Sequence, residues 1–319
     1  MPVLVAVVIP CYRVKRHILD VLSGIGDEVS HIFVVDDACP DESGRFVEER
    51  CCDTRVTVIH HSFNQGVGAA VLTGYTAALR QGAEVIVKVD GDGQMNPALI
   101  PRFIEPILRG QADYTKGNRF YDLAQIGQMP AFRLIGNSAL SLMAKLSTGY
   151  WNLFDTNNGF TAIHAKAARR IPFDQISQRY FFESDLLFRL NTIRAVVVDI
   201  AMDACYGSET SNLRVSRVIG EFLVKHIRNF GKRIFYSYFL RDMSAASLEL
   251  VLGICATIFG LVFGVFHWFQ SVSTGSPTPL GTIMLAALPA MLGVQLLMAF
   301  VTFDVANVPR RPIHVDLAD

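Results

Sequence analysis

The chain opens on an apolar run, Val3–Ile9, that stops at Pro10-Cys11. Three similar runs follow at Ile32–Val35, Val56–Ile59 and Val85–Val89, each short, rich in β-branched side chains and bounded by Asp, Gly or Pro. Such runs predict buried β-strands. The segments between them, Lys15–Ser23, Ser43–Arg50 and Gly68–Gln81, read as amphipathic helices. Strand and helix alternate up to about Tyr206, which predicts an α/β fold with a mostly parallel sheet and helices on both faces. In such sheets ligands bind beyond the carboxyl ends of the strands, so chemistry is sought there. No basic segment precedes the opening run and no small-residue cleavage site follows it, so it reads as a strand and not as a leader.

The last third has a different pattern. Leu250–Phe269 and Leu280–Phe303 are apolar and contain no Asp, Glu, Lys or Arg. Each is long enough to cross a hydrocarbon core of ~30 Å. A buried helical hairpin of a soluble core is the disfavoured alternative. The linker Ser271–Thr278 is uncharged, contains Gly275 and Pro277, and predicts a tight outer turn. Arg228, Lys232, Arg233 and Arg241 lie before the first span, and Arg310 and Arg311 after the second. This bias predicts that both termini and the large N-terminal part face the cytoplasm. In Val215–Met243 the residues Val218, Phe222, His226, Phe230 and Phe235 alternate with bases. They fit amphipathic helices lying in a membrane interface or, equally, a helix packed on the preceding domain. The expected organisation is a domain over 1–214, juxtamembrane helices over 215–245, two transmembrane helices over 246–306 and a tail over 307–319.

Composition narrows the classes. The 319 residues suffice for about two units. Lys+Arg and Asp+Glu both number 29, and zero net charge argues against a nucleic-acid binder. With 51% hydrophobic and 18% charged residues the chain is not disordered. Cys11, Cys39, Cys51, Cys52, Cys205 and Cys255 form no CxxC pair and no regular framework, which disfavours zinc and a disulfide scaffold and suits a reducing compartment.

The candidate chemistry lies at the strand ends. The fourth strand ends in Asp90-Gly91-Asp92-Gly93-Gln94. Two carboxylates one residue apart suit a hard cation such as Mg²⁺ or Mn²⁺, with Gln94 adding a neutral oxygen and Gly91 allowing close approach. Such an ion would neutralise a leaving diphosphate. The second strand ends in Asp36-Asp37, suited to a base or ribose; the alternative is a turn or helix cap, with Asp41 and Ser43 serving the next helix. Pro10-Cys11-Tyr12 can set a ring beside a nucleobase. Asn64–Ala70 opens a helix with Gly66 and Gly68 but lacks the Gly-Lys-Ser/Thr ending of a P-loop. His60-His61 reads as a turn pair, Tyr150-Trp151 as interfacial or core aromatics, and Cys51-Cys52 as helix packing.

Pro10-Cys11-Tyr12, Val35-Asp36-Asp37, Asn64–Ala70 and Asp90–Gln94 stand in the order and spacing of family 2 glycosyltransferases with the GT-A fold, and the chain resembles them over about residues 1–215. Asp113–Phe120, Phe132–Asn137, Asp155–Phe160 and Phe181–Asp185 are similar to segments of the dolichol-phosphate mannose synthases and polyprenyl-phosphate glucosyltransferases. The paired C-terminal spans are similar to the two-span glucosyltransferase branch. Three positions depart from the pattern: Arg13-Val14 replaces Asn-Glu, Val67 replaces a common Lys, and Ala204 stands where an Arg is usual, with Arg214 or Arg217 as possible substitutes.

The resemblance implies an inverting, metal-dependent transfer of a hexose from a nucleotide sugar, UDP-glucose or GDP-mannose, to a polyprenyl phosphate at the cytoplasmic face of a membrane. It implies donor contacts at Pro10, Tyr12, Asp36, Asp37, Gly68, Asp90 and Gly91, and a cation on Asp90, Asp92 and Gln94. Arg119 and Arg133 are expected on the acceptor phosphate. Asp155 is expected to orient acceptor or sugar, with Asp185 as the alternative acid. A homo-oligomer is left open. The competing readings are a membrane scaffold that binds nucleotide sugar without chemistry and a polysaccharide synthase of the same superfamily. The second is disfavoured because no Gln-x-x-Arg-Trp segment is present.

Overall fold

A seven-stranded sheet in the order β3-β2-β1-β4-β6-β5-β7 forms the centre of the N-terminal part of the computed structural model. The structure describes residues 3–121, 131–202 and 215–316, with the side chains of 131–135, 137 and 215–219 excepted. Contact density divides the chain into two units, residues 1–230 with 309–319, and residues 231–308.

In the first unit the strands are β1 Val5–Cys11, β2 His31–Asp36, β3 Val56–His60, β4 Val85–Lys88, β5 Tyr114–Asn118, β6 Thr161–His164 and β7 Val197–Ala201. The helices are α1 Ile18–Ser23, α2 Ser43–Arg50, α3 Val67–Arg80, α4 Ile100–Leu108, α5 Ala131–Thr148, α6 Ala165–Ala168, α7 Phe182–Thr192 and α8 Val215–Phe235, the last running on into the second unit. β1, β2 and β4 are apolar on both sides and central, as continuous Val/Ile runs require. β3 closes one edge and is only partly covered. β6 runs antiparallel to both β4 and β5, while the other pairs are parallel, so the expected mostly parallel sheet is present. The chain passes from β1 outward to β3, then returns to place β4 on the other side of β1. Such a reversal is where α/β sheets take ligands, at the carboxyl ends of the strands on either side, here β1 and β4. Beneath it lies one apolar core, in which the rings of Phe103 on α4 and Phe160 stack 3.9 Å apart.

The segment after residue 308 belongs to this unit. Its short helix α11, Ile313–Asp316, is held by Asp113 at the foot of β5. Asp113 is fully buried and accepts from the backbone N–H groups of Val196 (2.8 Å), Ile313 (2.9 Å) and His314 (2.9 Å), with His314 Nδ1 at 2.7 Å.

α8 shows two faces. Phe222 and Phe181 meet edge to face at 5.3 Å, His226 Nδ1 lies 2.7 Å from Ser147 Oγ, and Asn229 donates to Asp185 at 2.9 Å. Leu223, Val224, Ile227 and Phe230 are exposed. The helix therefore packs on its own domain along one side and leaves an apolar side open.

The second unit is built on α9 Ala245–Thr274 and α10 Leu280–Ala306, both long and apolar enough to cross a membrane. They meet through small residues: a Cβ at Gly293 would lie 2.3 Å from Thr257 Oγ1. Close backbone approach at such positions is how apolar helices pair without a hydrophobic driving force. Arg233, counted among the flanking bases, is internal here. Its fork binds Asp304 of α10 at 2.6 and 2.9 Å, and Tyr238 donates to the same carboxylate at 2.6 Å.

Replacing Asp113 by Ala strands three buried backbone donors. It should destabilise the first unit by about 3 kcal/mol, roughly 6–12 °C in melting temperature. Thermal melts and limited proteolysis of residues 309–319 check this.

Candidate active site

The carboxyl end of β4 turns sharply through Asp90-Gly91-Asp92 before the short 3-10 turn Pro97–Leu99 and α4. Gly91 is buried, and a Cβ there would stand 3.0–3.3 Å from Ile18, Val14 and Ile9. Its small size thus seats the turn on the core under β1. Asp92 Oδ1 accepts from the Gln94 N–H at 3.0 Å, which fixes the carboxylate on the turn that carries Gln94.

Asp90 is held from below. Lys88, the last residue of β4, is 1% exposed, and its Nζ lies 2.8 Å from Asp90 Oδ1 and 3.4 Å from Glu183 Oε1 on α7. Burial works against the charge on this lysine. Asp90 and Glu183 outweigh it, so its pKa stands above the ordinary lysine value.

Strand register extends this arrangement sideways. Lys88 is paired with Thr161 on β6, Thr161 with Lys116 on β5, and Lys116 with Asp199 on β7. Residues in register share a face of the sheet, so a polar row crosses four strands at their site end. Lys116 is fully buried and donates to the Asn158 carbonyl. Burial brings its pKa down to about 8 against the opposing pull of Asp155 and Glu183. Asp199 accepts from Asn118 Nδ2 (3.1 Å) and the Phe154 N–H (3.2 Å), and burial pushes it up to about 6.

Arg119 and Asp155 meet in the structure. Nε and Nη2 of Arg119 donate to the two carboxylate oxygens at 2.8 and 3.1 Å, and Asn158 Nδ2 donates to Oδ2 at 3.2 Å. The Arg119 side chain is 36% exposed and that of Asp155 only 4%. Asp155 therefore sets the direction of the guanidinium and is itself shielded. Asp185 is also enclosed: it accepts from the Ser177 N–H at 2.8 Å and from Asn229 at 2.9 Å, tying α7 to a loop and to α8. Of the acids in Phe181–Asp185, Glu183 is the one that meets Lys88.

Both acids after β2 are bound by backbone. Asp36 accepts from the N–H groups of Cys39 (2.7 Å) and Gly44 (2.6 Å), so it, and neither Asp41 nor Ser43, serves the start of α2. Asp37 accepts from the N–H groups of Gln65 (2.8 Å) and Gly66 (2.7 Å). His61, expected as part of a turn pair, is buried with Nδ1 2.8 Å from Asp37 and Nε2 3.0 Å from Thr73. These acids fix the loops that ring the crevice. Gly68 lies in the first turn of α3, where a Cβ would stand 2.7 Å from the Ser177 carbonyl. Pro10 lies within β1 opposite Val35. Tyr12 is exposed just beyond that strand, with the Arg13 guanidinium 5.5 Å from its ring centroid. Arg133 falls in the first turn of α5, and its side chain, like Ala204, Arg214 and the side chain of Arg217, lies outside the described residues.

The donor set on the Asp-Gly-Asp turn fits Mg²⁺ or Mn²⁺. It offers oxygens only, which is the chemistry a hard cation takes, although among the described residues no three His, Cys, Asp or Glu side chains converge to hold a metal ion. Magnesium in particular is commonly held by one or two carboxylates and completes its shell with phosphate oxygens and water.

A mostly parallel sheet with a carboxylate turn at its switch point defines a protein of the α/β class. The sequence pattern of glycosyl transferase family 2 matches residues 6–174, and the chain belongs to that family. An undecaprenyl-phosphate mannosyltransferase of Micrococcus luteus is 29% identical over 70% of this chain and 93% of its own length. A UDP-N-acetylglucosamine–dolichyl-phosphate N-acetylglucosaminyltransferase of Methanococcus voltae is 26% identical over 75% of this chain and 96% of its own length. Among solved structures, glucosyl-3-phosphoglycerate synthase from Mycobacterium tuberculosis with UDP superposes at a TM-score of 0.54 with 16% identity, over 72% of this chain and 79% of that one. That enzyme has also been solved with Mn²⁺ and UDP and with Mg²⁺ and UDP. At this identity the likeness shows the fold.

The raised pKa of Asp199 gives a pH test. A carboxyl whose folded pKa lies above its unfolded one favours the fold when protonated. Its contribution is full below about pH 4 and lost as pH rises through about 6. Asp199→Asn should therefore melt above the wild type at pH 7.5, and the difference should close by about pH 4, as thermal melts across that range can measure.

Proposed function

We propose that the protein transfers a hexose from a nucleotide sugar to a polyprenyl phosphate, with inversion at the anomeric carbon. One coincidence carries this reading: an acidic turn at the switch point and a forked Arg119 occur in the same chain as two helices fit to span a membrane. The relatives that transfer sugars to lipid phosphates align over nearly their whole length, which supports the same acceptor class.

The acceptor oxygen of a phosphate monoester is already anionic near neutral pH. Deprotonation is a small part of the barrier, and positioning and charge neutralisation dominate. Asp90, Asp92 and Gln94 would hold the divalent ion, which when bound neutralises the departing diphosphate. Arg119, its fork aimed by Asp155, meets the acceptor phosphate, and Arg133 is assigned the same task from its place in the family pattern. Asp36 and Asp37 shape the donor loops through the backbone, Tyr12 offers its exposed ring to the base, and Pro10, Gly68, Asp90 and Gly91 line the donor side. Shielded as they are, Asp155 and Asp185 act on position. UDP-glucose is the preferred donor on the two-span topology, with GDP-mannose next.

The bases Arg228, Lys232 and Arg241 precede the first span in sequence and Arg310 and Arg311 follow the second, which supports a cytoplasmic site and cytoplasmic termini. The exposed apolar side of α8, with Arg228 and Lys232 nearby, supports contact with the membrane surface.

The test incubates full-length protein in detergent with Mg²⁺, undecaprenyl phosphate and, in turn, radiolabelled UDP-glucose, GDP-mannose and other nucleotide sugars. Label should enter the organic phase from one donor. Asp92→Asn should lower that rate by about a hundredfold or more, the scale of losing one electrostatic stabiliser. Full activity of Asp92→Asn would contradict the role given to that turn, and no transfer from any donor would contradict the proposal as a whole and favour a non-catalytic binding role.

A further inference from the structure

Lys88 plays no part in the resemblance that first pointed to the site, yet it is the group on which the two halves of that site converge. Asp90 comes from the loop after β4, in the first half of the catalytic unit. Glu183 comes from α7, in the second half. The Lys88 ammonium lies 2.8 Å from one and 3.4 Å from the other. Asp90 Oδ1 is buried, and among the described residues no other hydrogen-bonding group meets it. The Glu183 side chain is 13% exposed, so it is largely withdrawn from water as well.

The packing above this triad has no slack. A Cβ added to Gly159 would lie 2.3 Å from Asp90 Oδ2 and 2.6 Å from Lys88 Nζ. Gly159 belongs to the same Asp155–Phe160 segment that aims Arg119 through Asp155. One glycine thus lets the loop that orients Arg119 close over the Lys88–Asp90 pair.

We propose that Lys88 is a shared positioning residue: its buried ammonium holds Asp90 and Glu183 together, and through them sets the donor turn and α7 in one fixed relation. This rests on the transferase reading given above. The physical reason is that two partly buried carboxylates cannot stay close and ionised without a cation between them. Removing the lysine leaves like charges facing each other, so Asp90 leaves the position from which it and Asp92 receive the nucleotide diphosphate. Arginine is no substitute, because the larger guanidinium does not fit under Gly159.

The test compares wild type, Lys88→Met, Glu183→Gln, the double variant and Gly159→Ala as full-length proteins. Methionine keeps the length of the lysine stem, so the change removes charge more than volume. Three quantities are read: melting temperature, affinity for UDP and GDP in the presence of Mn²⁺, and kcat and KM for transfer. Lys88→Met should weaken nucleotide binding by about 30-fold or more, the scale of breaking a buried charge pair, and should lower the melting temperature. Gly159→Ala should weaken binding similarly with the lysine still present.

The decisive readout is a reversal of sign. Glu183→Gln should reduce kcat/KM in the wild-type background. In the Lys88→Met background it should raise kcat/KM, restore nucleotide binding and recover much of the lost melting temperature, because it removes one of two unpaired charges. Equal effects of Glu183→Gln in both backgrounds, on melting and on binding alike, would overturn the proposal, since a lysine that merely fills space predicts additivity. Reversal in melting temperature without hexose transfer by the wild type would sustain the shared cation and overturn the transferase reading. Transfer by the wild type with additive effects throughout would do the opposite.

Discussion

Carboxylates crowd the carboxyl edge of this sheet, and most of them are held by a specific partner. Lys88 serves Asp90 and Glu183, Arg119 serves Asp155, and backbone N–H groups serve Asp36 and Asp37. Acids that are wholly or partly buried need such partners, because an unpaired buried charge costs several kcal/mol. Asp199 shows the alternative: with weaker compensation its pKa rises to about 6. The same pairings do the positioning. A side chain held by its partner cannot swing, so the turn after β4, the loop before β6 and the start of α7 are fixed by these pairings.

The remainder of the first unit supports that edge. The reversal of strand order beside β1 puts the acidic turn at the switch point, and the stacked Phe103 and Phe160 anchor the apolar core. The antiparallel β6 contributes Thr161 to the polar row and is preceded by Gly159, whose lack of a side chain admits the Lys88–Asp90 pair. α8 ties the unit to its own acids through Asn229 and Asp185 while leaving Leu223, Val224 and Ile227 uncovered. In the second unit the pairing of α9 and α10 uses small residues, and the buried Asp304 is paired with Arg233 and accepts from Tyr238. Charge within an apolar hairpin obeys the same rule as charge in the site.

Much of this was legible in the residues. Continuous Val and Ile runs located the first four strands, the Ser43–Arg50 helix appears with the same bounds, and the two long apolar stretches lie within α9 and α10. The Asp-Gly-Asp turn was visible because it follows such a run directly. β5, with Tyr-Thr-Lys-Gly-Asn, has no apolar pattern, and its burial is imposed by neighbouring strands, so local reading does not find it. Lys88 carried a signal that was not used: a lysine closing an otherwise wholly apolar strand is buried with it and needs an anionic partner. Its partner Glu183 was not legible, since nothing local distinguishes it from Asp185 two residues on. The Arg119–Asp155 fork joins residues 36 apart in sequence, and Asp37 finds its donors in the loop before α3. Such pairings are properties of the fold and not of any segment.

The central claim is that the Asp90-Gly91-Asp92 turn is where a nucleoside diphosphate is held through a divalent ion. A crystal structure of the protein grown with Mn²⁺ and a nucleoside diphosphate, with data collected at the manganese absorption edge, tests this most directly. The account predicts an anomalous peak within about 2.2 Å of an Asp92 oxygen, with diphosphate density on its far side, and loss of that peak in Asp92→Asn. A manganese peak elsewhere, or a nucleotide bound with its phosphates away from this turn, would contradict it.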